Sequence, residues 1–218
     1  MRQAFDAICA AITLLLISPL LALIALVIKL EDRGPIFYAH PRLGKNFRSF
    51  GLLKFRTMVA NADRLGGSIT VAGDPRITRV GRFLRDYKLD ELPQLWNVVT
   101  GDIQLVGARP ESAGNAERFH AEYKELLLDR PGITDPATLA YRDEEKMFGE
   151  GDIEEQYLTH ILPDKLRLSL DYAGRRTFFS DLRIIIRTLL RLHRPGPSPR
   201  ATNVGSIRVD APSNGGST

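Results

Sequence analysis

The 22 residues from Ala7 to Ile28, AICAAITLLLISPLLALIALVI, carry no charge. As a straight helix they would be about 33 Å long, close to the hydrocarbon thickness of a bilayer. A secretory leader has a shorter apolar core and ends at a small-residue cleavage site; this run has neither, so it is expected to be retained. A helix so uniformly apolar has no polar side to show to water, and the chain is expected to be attached to a membrane. Ser18 and Pro19 fall at its middle. Proline removes one backbone hydrogen bond and clashes with the preceding turn, which predicts a kink or a break there. The serine hydroxyl can satisfy the freed carbonyl. A kink leaves a spanning helix, whereas a sharp break returns the chain to the face it came from. General experience with membrane prolines favours the span, and Arg2 against Lys29 and Arg33 is too weak an asymmetry to orient it. Cys9, the only cysteine, lies in this run and reads as a small apolar filler, with no intrachain disulfide available.

Charge beyond the apolar run comes in blocks. Arg42 to Lys88 holds eleven Lys/Arg and three Asp/Glu; Glu111 to Asp164 holds fourteen acids and five bases; Lys165 to Arg200 is basic again, nine against two. Such blocks suggest an anionic ligand or surface met by particular segments. IFYAHPRLG and FRSFGLLKFRTM predict a hairpin about Gly44-Lys45-Asn46. AGDPRITRVGRFLRDYKL predicts a helix with Ile77, Val80, Phe83, Leu84 and Tyr87 on one side and Arg76, Arg79, Arg82 and Arg85 on another. Those arginines suit either a solvated face or phosphate contact.

Pro93 to Val99 predicts a further helix ending near Gly101, followed by a loop, LVGARPES. ESAGNAERFHAEYKELLLDRPG predicts one acidic amphipathic helix. ILPDKLRLSLDYAGR has an alternating Leu pattern that suits a strand, but Pro163 at a helix start favours a helix. SDLRIIIRTLLRLHR predicts a helix capped by Ser180, with Arg183, Arg187, Arg191 and Arg194 opposite Leu182, Ile185, Ile186 and Leu189. It would pack on the core with its arginines exposed, or lie on an anionic leaflet. Residues 195–218, rich in Pro, Gly, Ser and Asn, are expected to be disordered. The fold class expected is α+β and mainly helical.

Asp90 and Glu91, in KLDELPQLWNV, are adjacent carboxylates preceded by the arginine-rich helix. With Asp90 as N-cap, Glu91, Leu92 and Pro93 would form a first turn, where proline is tolerated. The positive end of that helix would keep both acids ionised and could receive a phosphate. A plain helix cap without chemistry is the competing reading. Two acids, several guanidiniums and a divalent cation make a phosphoryl-transfer site, in which an anionic carboxylate attacks phosphorus. Mg²⁺ suits such oxygens. No Walker-type glycine loop, dinucleotide fingerprint or His/Cys zinc pattern is present, and the arginines lack the interleaved aromatics of a single-stranded nucleic-acid binder.

KFRTM, GDPRITRVGRFLR, LDELPQLWNVVTGDIQLVGARP and RPGIT together resemble the bacterial sugar transferase family, the monotopic phosphoglycosyl transferases of surface-glycan synthesis. The resemblance runs from the membrane segment to about Leu192. It implies transfer of a sugar phosphate from a nucleotide diphosphate sugar, usually a UDP-sugar, to a polyprenyl phosphate such as undecaprenyl phosphate, releasing UMP. It implies Asp90 as a nucleophile forming a covalent phosphosugar intermediate, with Glu91 in a metal-linked supporting role, and Mg²⁺ as cofactor held by the pair. It implies that Lys54, Arg56, Arg85 and Arg109 hold phosphates and that Pro110 shapes the nucleotide pocket. It further implies a re-entrant helix-break-helix at Ser18-Pro19, against the general preference for a span. The expected organisation is therefore a membrane anchor over 1–33, a cytoplasmic catalytic domain with interfacial helices over 34–194, and the tail. The expected location is the cytoplasmic face of the bacterial inner membrane, in contact with its lipid and with room for a homodimer.

Two departures stand out. DPATLAYRDEEKM replaces the Trp-Gln-Val-x-Gly-Arg run of some members, and GARP replaces Gly-Pro-Arg-Pro. The large membrane domain preceding the catalytic part of longer members is not in this sequence, which implies a minimal form. Rival functions are a Mg²⁺-dependent hydrolase of nucleotide or lipid diphosphates and a non-catalytic membrane scaffold for anionic partners.

Overall fold

A computed structural model describes residues 2–62, 65, 70–71, 73–149 and 151–191. The expected tail and Arg194 lie outside the described residues. The architecture is mainly helical with two small sheets. Helix α1 (Arg2–Asp32) leads into the antiparallel hairpin of β1 (Phe37–Leu43) and β2 (Ser49–Phe55), in register from Phe37 opposite Phe55 to Leu43 opposite Ser49. Asn46 and Phe47 take left-handed backbone in its turn.

Helix α1 continues through Pro19 without interruption, so the break expected at Ser18-Pro19 is not one in the helix itself. The reason is local. Pro19 cannot donate to the Leu15 carbonyl four residues back, and the Ser18 hydroxyl donates to that same oxygen at 2.8 Å. Most of α1 is bare, with Leu15 and Leu16 about three-quarters exposed at 75% and 74%. Only one stripe packs. Ala10 joins Leu52, Val98 and Ile103, while Ile24 and Ile28 join Phe55 and Leu84. Polar contacts tie both ends to the same body. Arg2 approaches Asp181 at 3.7 Å and Asp6 accepts from the Leu105 N–H at 3.3 Å. At the other end Glu31 accepts from the Val80 N–H at 3.1 Å and Asp32 pairs with Arg56.

Helix α2 (Arg79–Asp86) is capped by Thr78, whose hydroxyl accepts from the Gly81 N–H at 2.9 Å. Its first turn lies directly on the backbone of Thr57: a Cβ on Gly81 would stand 2.0 Å from the Thr57 carbonyl oxygen. Of its expected apolar side Leu84 is buried, while Phe83 and Tyr87 are exposed and pack on each other. Helix α3 (Gln94–Thr100) ends at Gly101, in left-handed backbone with φ 82°. Asn97 fastens α3 to β2, donating to the Gly51 carbonyl and accepting from the Leu53 N–H, both at 2.9 Å.

The loop expected after α3 contains β3 (Gln104–Val106), which pairs in parallel with β4 (Gly132–Thr134). The single acidic helix expected between them is two, α4 (Ala113–Arg118) and α5 (His120–Leu126). Phe119 leaves helical geometry at φ −115°, ψ 43°, where it packs on the core and His120 stacks on Phe47 of the hairpin turn. Helix α6 (Pro136–Ala140) is capped by Asp135, and α7 (Ile153–Gln156) runs through a π-turn at Tyr157–Ile161 into α8 (Leu162–Gly174). Tyr123, Leu126, Leu127, Tyr157, Ile161, Leu162 and Leu166 form the largest core cluster.

Helix α9 (Phe178–Arg191) starts earlier than expected. Thr177 is its cap: its hydroxyl accepts from the Ser180 N–H at 3.1 Å, and the Ser180 hydroxyl accepts from the Thr177 N–H at 2.9 Å. The packing of α9 on the core is slighter than expected. Ile184 is buried, but Phe178, Phe179, Leu182, Ile186, Leu189 and Leu190 are exposed, and Phe178 touches Phe5 of α1 edge-on at 5.9 Å.

Candidate active site

Glu91 is the electrostatic centre of the site. It lies in a 3₁₀ turn, Leu89–Glu91, ahead of α3, and Pro93 rather than Asp90 precedes the first α-helical residue. The expected N-cap role of Asp90 is therefore replaced by a place inside that turn, because Lys88 turns the chain through left-handed backbone just before it. Lys54 of β2 donates to Glu91 Oε1 at 3.2 Å. Arg109 donates to both carboxylate oxygens, with Nη1 3.1 Å from Oε2. Burial pushes the Glu91 carboxyl up, but Arg109 and Lys54 override it and hold the group well below the usual carboxylate range. Glu91 in turn binds the Arg109 proton more firmly.

Asp90 differs although it is adjacent. It is buried at 5% exposure, and its Oδ1 has no hydrogen-bond partner among the described residues. Burial raises its pKa above the usual aspartate value, with Lys54 opposing and the Glu91 charge adding to the rise. One acid is thus locked as an ion-paired anchor and the other is an underliganded anion with a raised proton affinity. The unpartnered Asp90 oxygen is open to a ligand, whereas both Glu91 oxygens are engaged.

Backbone contacts hold Arg109 in place. The Gly107 N–H donates to the Thr134 carbonyl at 2.9 Å, and the Gly132 N–H to the Ala108 carbonyl at 2.8 Å. A Cβ on Gly132 would stand 2.2 Å from the Gly107 nitrogen, so the loop lies flat against β4 only because both residues are glycine. Beyond it Glu111 is gripped by Arg42 at 2.5 Å and by the Tyr157 hydroxyl at 2.8 Å. Burial pushes the Glu111 carboxyl up, but Arg42, Lys165 and the hydrogen bonds from the Ser112 N–H and Tyr157 together outweigh it and leave the pKa lowered. Pro110, buried, joins these two anchored residues.

Of the residues expected to hold phosphate, Lys54 and Arg109 meet at Glu91. Arg85 stands on the Asp90 side, its Nε 2.9 Å from the Thr57 hydroxyl and its Nη1 3.0 Å from Glu145. Arg56 is placed apart: its guanidinium pairs with Asp32 at the end of α1. Ser18 and Pro19 lie far along α1, in its exposed stretch. Three contributors were not foreseen. Lys88 acts on both acids, Glu145 occupies Arg85, and Lys165 binds Glu144 at 2.8 Å while lining a small cavity beside Arg109. Lys88 had a signal in its position two residues before Asp90; the other two had none, because chain separations of 60 and 21 residues are closed only by the fold.

No cluster of three or more metal-binding side chains occurs among the described residues. Of the two expected donors, Asp90 has the unpartnered Oδ1, a hard oxygen suited to a divalent cation, while both Glu91 oxygens are engaged by Arg109 and Oε1 also by Lys54.

A family model for bacterial sugar transferases matches residues 1–195. The chain belongs to the bacterial sugar transferase family. It is 35% identical over 197 residues to an undecaprenyl-phosphate glucose phosphotransferase of Komagataeibacter xylinus, covering 87% of this chain and 35% of that protein. It is 33% identical over 203 residues to exopolysaccharide production protein ExoY of Rhizobium meliloti, covering 86% and 83%. It is also 35% identical over 191 residues to a UDP-glucose:undecaprenyl-phosphate glucose-1-phosphate transferase of Caulobacter vibrioides, covering 86% and 68%. The chain thus spans about a third of the first of these relatives and most of the second.

Proposed function

We propose that this family member is a phosphoglycosyl transferase that moves a sugar 1-phosphate from a nucleotide diphosphate sugar, of the UDP class, to undecaprenyl phosphate. The observation that carries the reading is the buried Asp90 oxygen without a partner, beside a Glu91 that two cations hold ionised. The names of the relatives supply the lipid acceptor and the sugar phosphate.

In the first step an Asp90 oxygen bonds to the phosphorus that carries the sugar, and the bond from that phosphorus to the bridging oxygen breaks. The electron pair leaves with UMP. In the second step an oxygen of the lipid phosphate attacks the same phosphorus, the bond to Asp90 breaks, and the carboxylate is regenerated. Arg109 and Lys54 orient Glu91 and lend positive potential to the phosphates, while Arg85, fixed by Thr57, offers a guanidinium on the Asp90 side. A divalent cation held by Asp90 and Glu91 would neutralise phosphate oxygens.

Membrane placement follows the same reasoning. Although α1 runs through Pro19 without a break, both its ends are tied to one body, which supports a helix held along one face of the bilayer rather than across it, the cytoplasmic face where nucleotide sugars are made. The exposed apolar residues of α9, continuous with α1 through Phe5 and Phe178, support its lying at that interface.

The test is incubation with radiolabelled UDP-sugars and Mg²⁺, with and without undecaprenyl phosphate, following UMP and lipid-linked label. Lipid-dependent transfer is expected. Lipid-independent release of free sugar phosphate would point to a hydrolase, and no turnover with any nucleotide sugar to a scaffold. Asp90→Asn is expected to abolish the donor-derived covalent adduct with the fold intact; an undiminished adduct would refute the nucleophile assignment.

A further inference from the structure

Three of the four cations whose charge acts on the two acids are already paired. Lys54 and Arg109 hold Glu91, and Arg85 carries Glu145. Lys88 is the exception: among the described residues its ammonium has neither an ion pair nor a hydrogen bond. It is half-buried, two residues before Asp90, and its charge reaches both Asp90 and Glu91.

The backbone at Lys88 makes the side chain informative. The residue follows the Tyr87 cap of α2 in left-handed conformation, φ 56° and ψ 25°, with its N–H donating to the Arg85 carbonyl at 3.0 Å. Glycine is the usual occupant of such a position, where a residue with a Cβ is strained. No hydrogen bond or ion pair from the Lys88 side chain supports this turn among the described residues. What it adds is a positive charge beside the nucleophile.

We propose that the Lys88 ammonium is a further phosphate-contacting group of this site: of the cations acting on the two acids among the described residues, it is the one a substrate phosphate meets without displacing a carboxylate. The proposal rests on the donor and acceptor reading given above. The ligand chemistry is a phosphate oxygen, from the donor diphosphate or from the lipid phosphate, and the two are separable by experiment.

The full-length protein in detergent would be compared as wild type, Lys88→Gly and Lys88→Arg. Lys88→Gly is expected to melt at the same temperature or higher, since it relieves the left-handed backbone. Loss of one charge-assisted contact corresponds to about a ten- to hundredfold rise in KM. A rise for UDP-sugar, with slower adduct formation when lipid is omitted, assigns the contact to the donor. Unchanged adduct formation with a raised KM for undecaprenyl phosphate assigns it to the acceptor. Lys88→Arg is expected to recover most of the loss in either case. The proposal is overturned if Lys88→Gly leaves both KM values unchanged, or if Lys88→Arg fails as badly as Lys88→Gly. A wild-type protein without turnover defeats the donor and acceptor reading, and the proposal with it.

Discussion

Glu145→Gln is expected to make the enzyme bind its donor more tightly. Arg85 is fixed on one side by Thr57 at 2.9 Å and engaged on the other by Glu145 at 3.0 Å, and the Arg85 and Glu145 side chains are 21% and 36% exposed. A donor phosphate that uses Arg85 must first displace that carboxylate. An ion pair this accessible to water has a net worth of about 1 kcal/mol or less. Glutamine keeps the shape and an acceptor oxygen but removes the competing charge, so KM for the UDP-sugar should fall by about two- to fivefold. The assay is UMP release at saturating undecaprenyl phosphate with the donor titrated, repeated at low and high salt. Screening should shrink the difference between variant and wild type as salt rises. The reasoning is refuted if KM is unchanged or higher in a variant whose melting temperature matches wild type, for then Glu145 supports Arg85 rather than competing with substrate.

Two other expectations concern protonation and topology. Asp90 must be ionised to attack and burial raises its pKa, so adduct formation should rise with pH through an inflection above 3.8, the ordinary aspartate value. Glu91→Gln removes a charge that raises it and frees Lys54 and Arg109 to act on Asp90, so the inflection should move down; a move upward, or a wild-type inflection at 3.8 or below, would contradict the assigned coupling. In inverted and right-side-out vesicles, single cysteines at Gln3 and Arg33 in a Cys9→Ser background should both react with an impermeant thiol reagent from the cytoplasmic side. Labelling of the two from opposite sides would establish a span.

The gathering of the candidate site was partly legible because several of its parts are consecutive. Asp90 and Glu91 are adjacent, and Lys54, Arg85 and Arg109 were expected from single-segment motifs; Arg56, expected on the same ground, pairs instead with Asp32. The hairpin was legible because seven paired residues on each strand leave a long pattern. The parallel pairing of β3 and β4 was not, because its three-residue strands carry no periodicity and their partnership depends on Gly107 and Gly132 meeting back to back. The division of one acidic helix at Phe119 was hidden for a similar reason: the aromatic continues the amphipathic pattern, and only its contact with the core shows the chain turning.

The largest gap between pattern and structure lies in α1, and it bears on how the active site is built. A run of 22 uncharged residues reads as a membrane segment and nothing more. In the structure its one packed stripe supports the catalytic elements: Ala10 sits with Val98 of α3, and Ile24 and Ile28 sit with Phe55 of β2 and Leu84 of α2, with Leu89 of the acid-bearing turn packed against them. Lys54, Arg85 and Asp90 each neighbour a residue of that second cluster in sequence. The long apolar helix and the turn that bears Asp90 are therefore joined through one layer of packed side chains. An ordinary amphipathic pattern could not have disclosed it, because in a helix where nearly every residue is apolar the buried stripe and the lipid-facing surface are made of the same residue types. Hydrophobicity determines that α1 leaves water; shape complementarity with α2, α3 and β2 determines which of its faces lies against the protein.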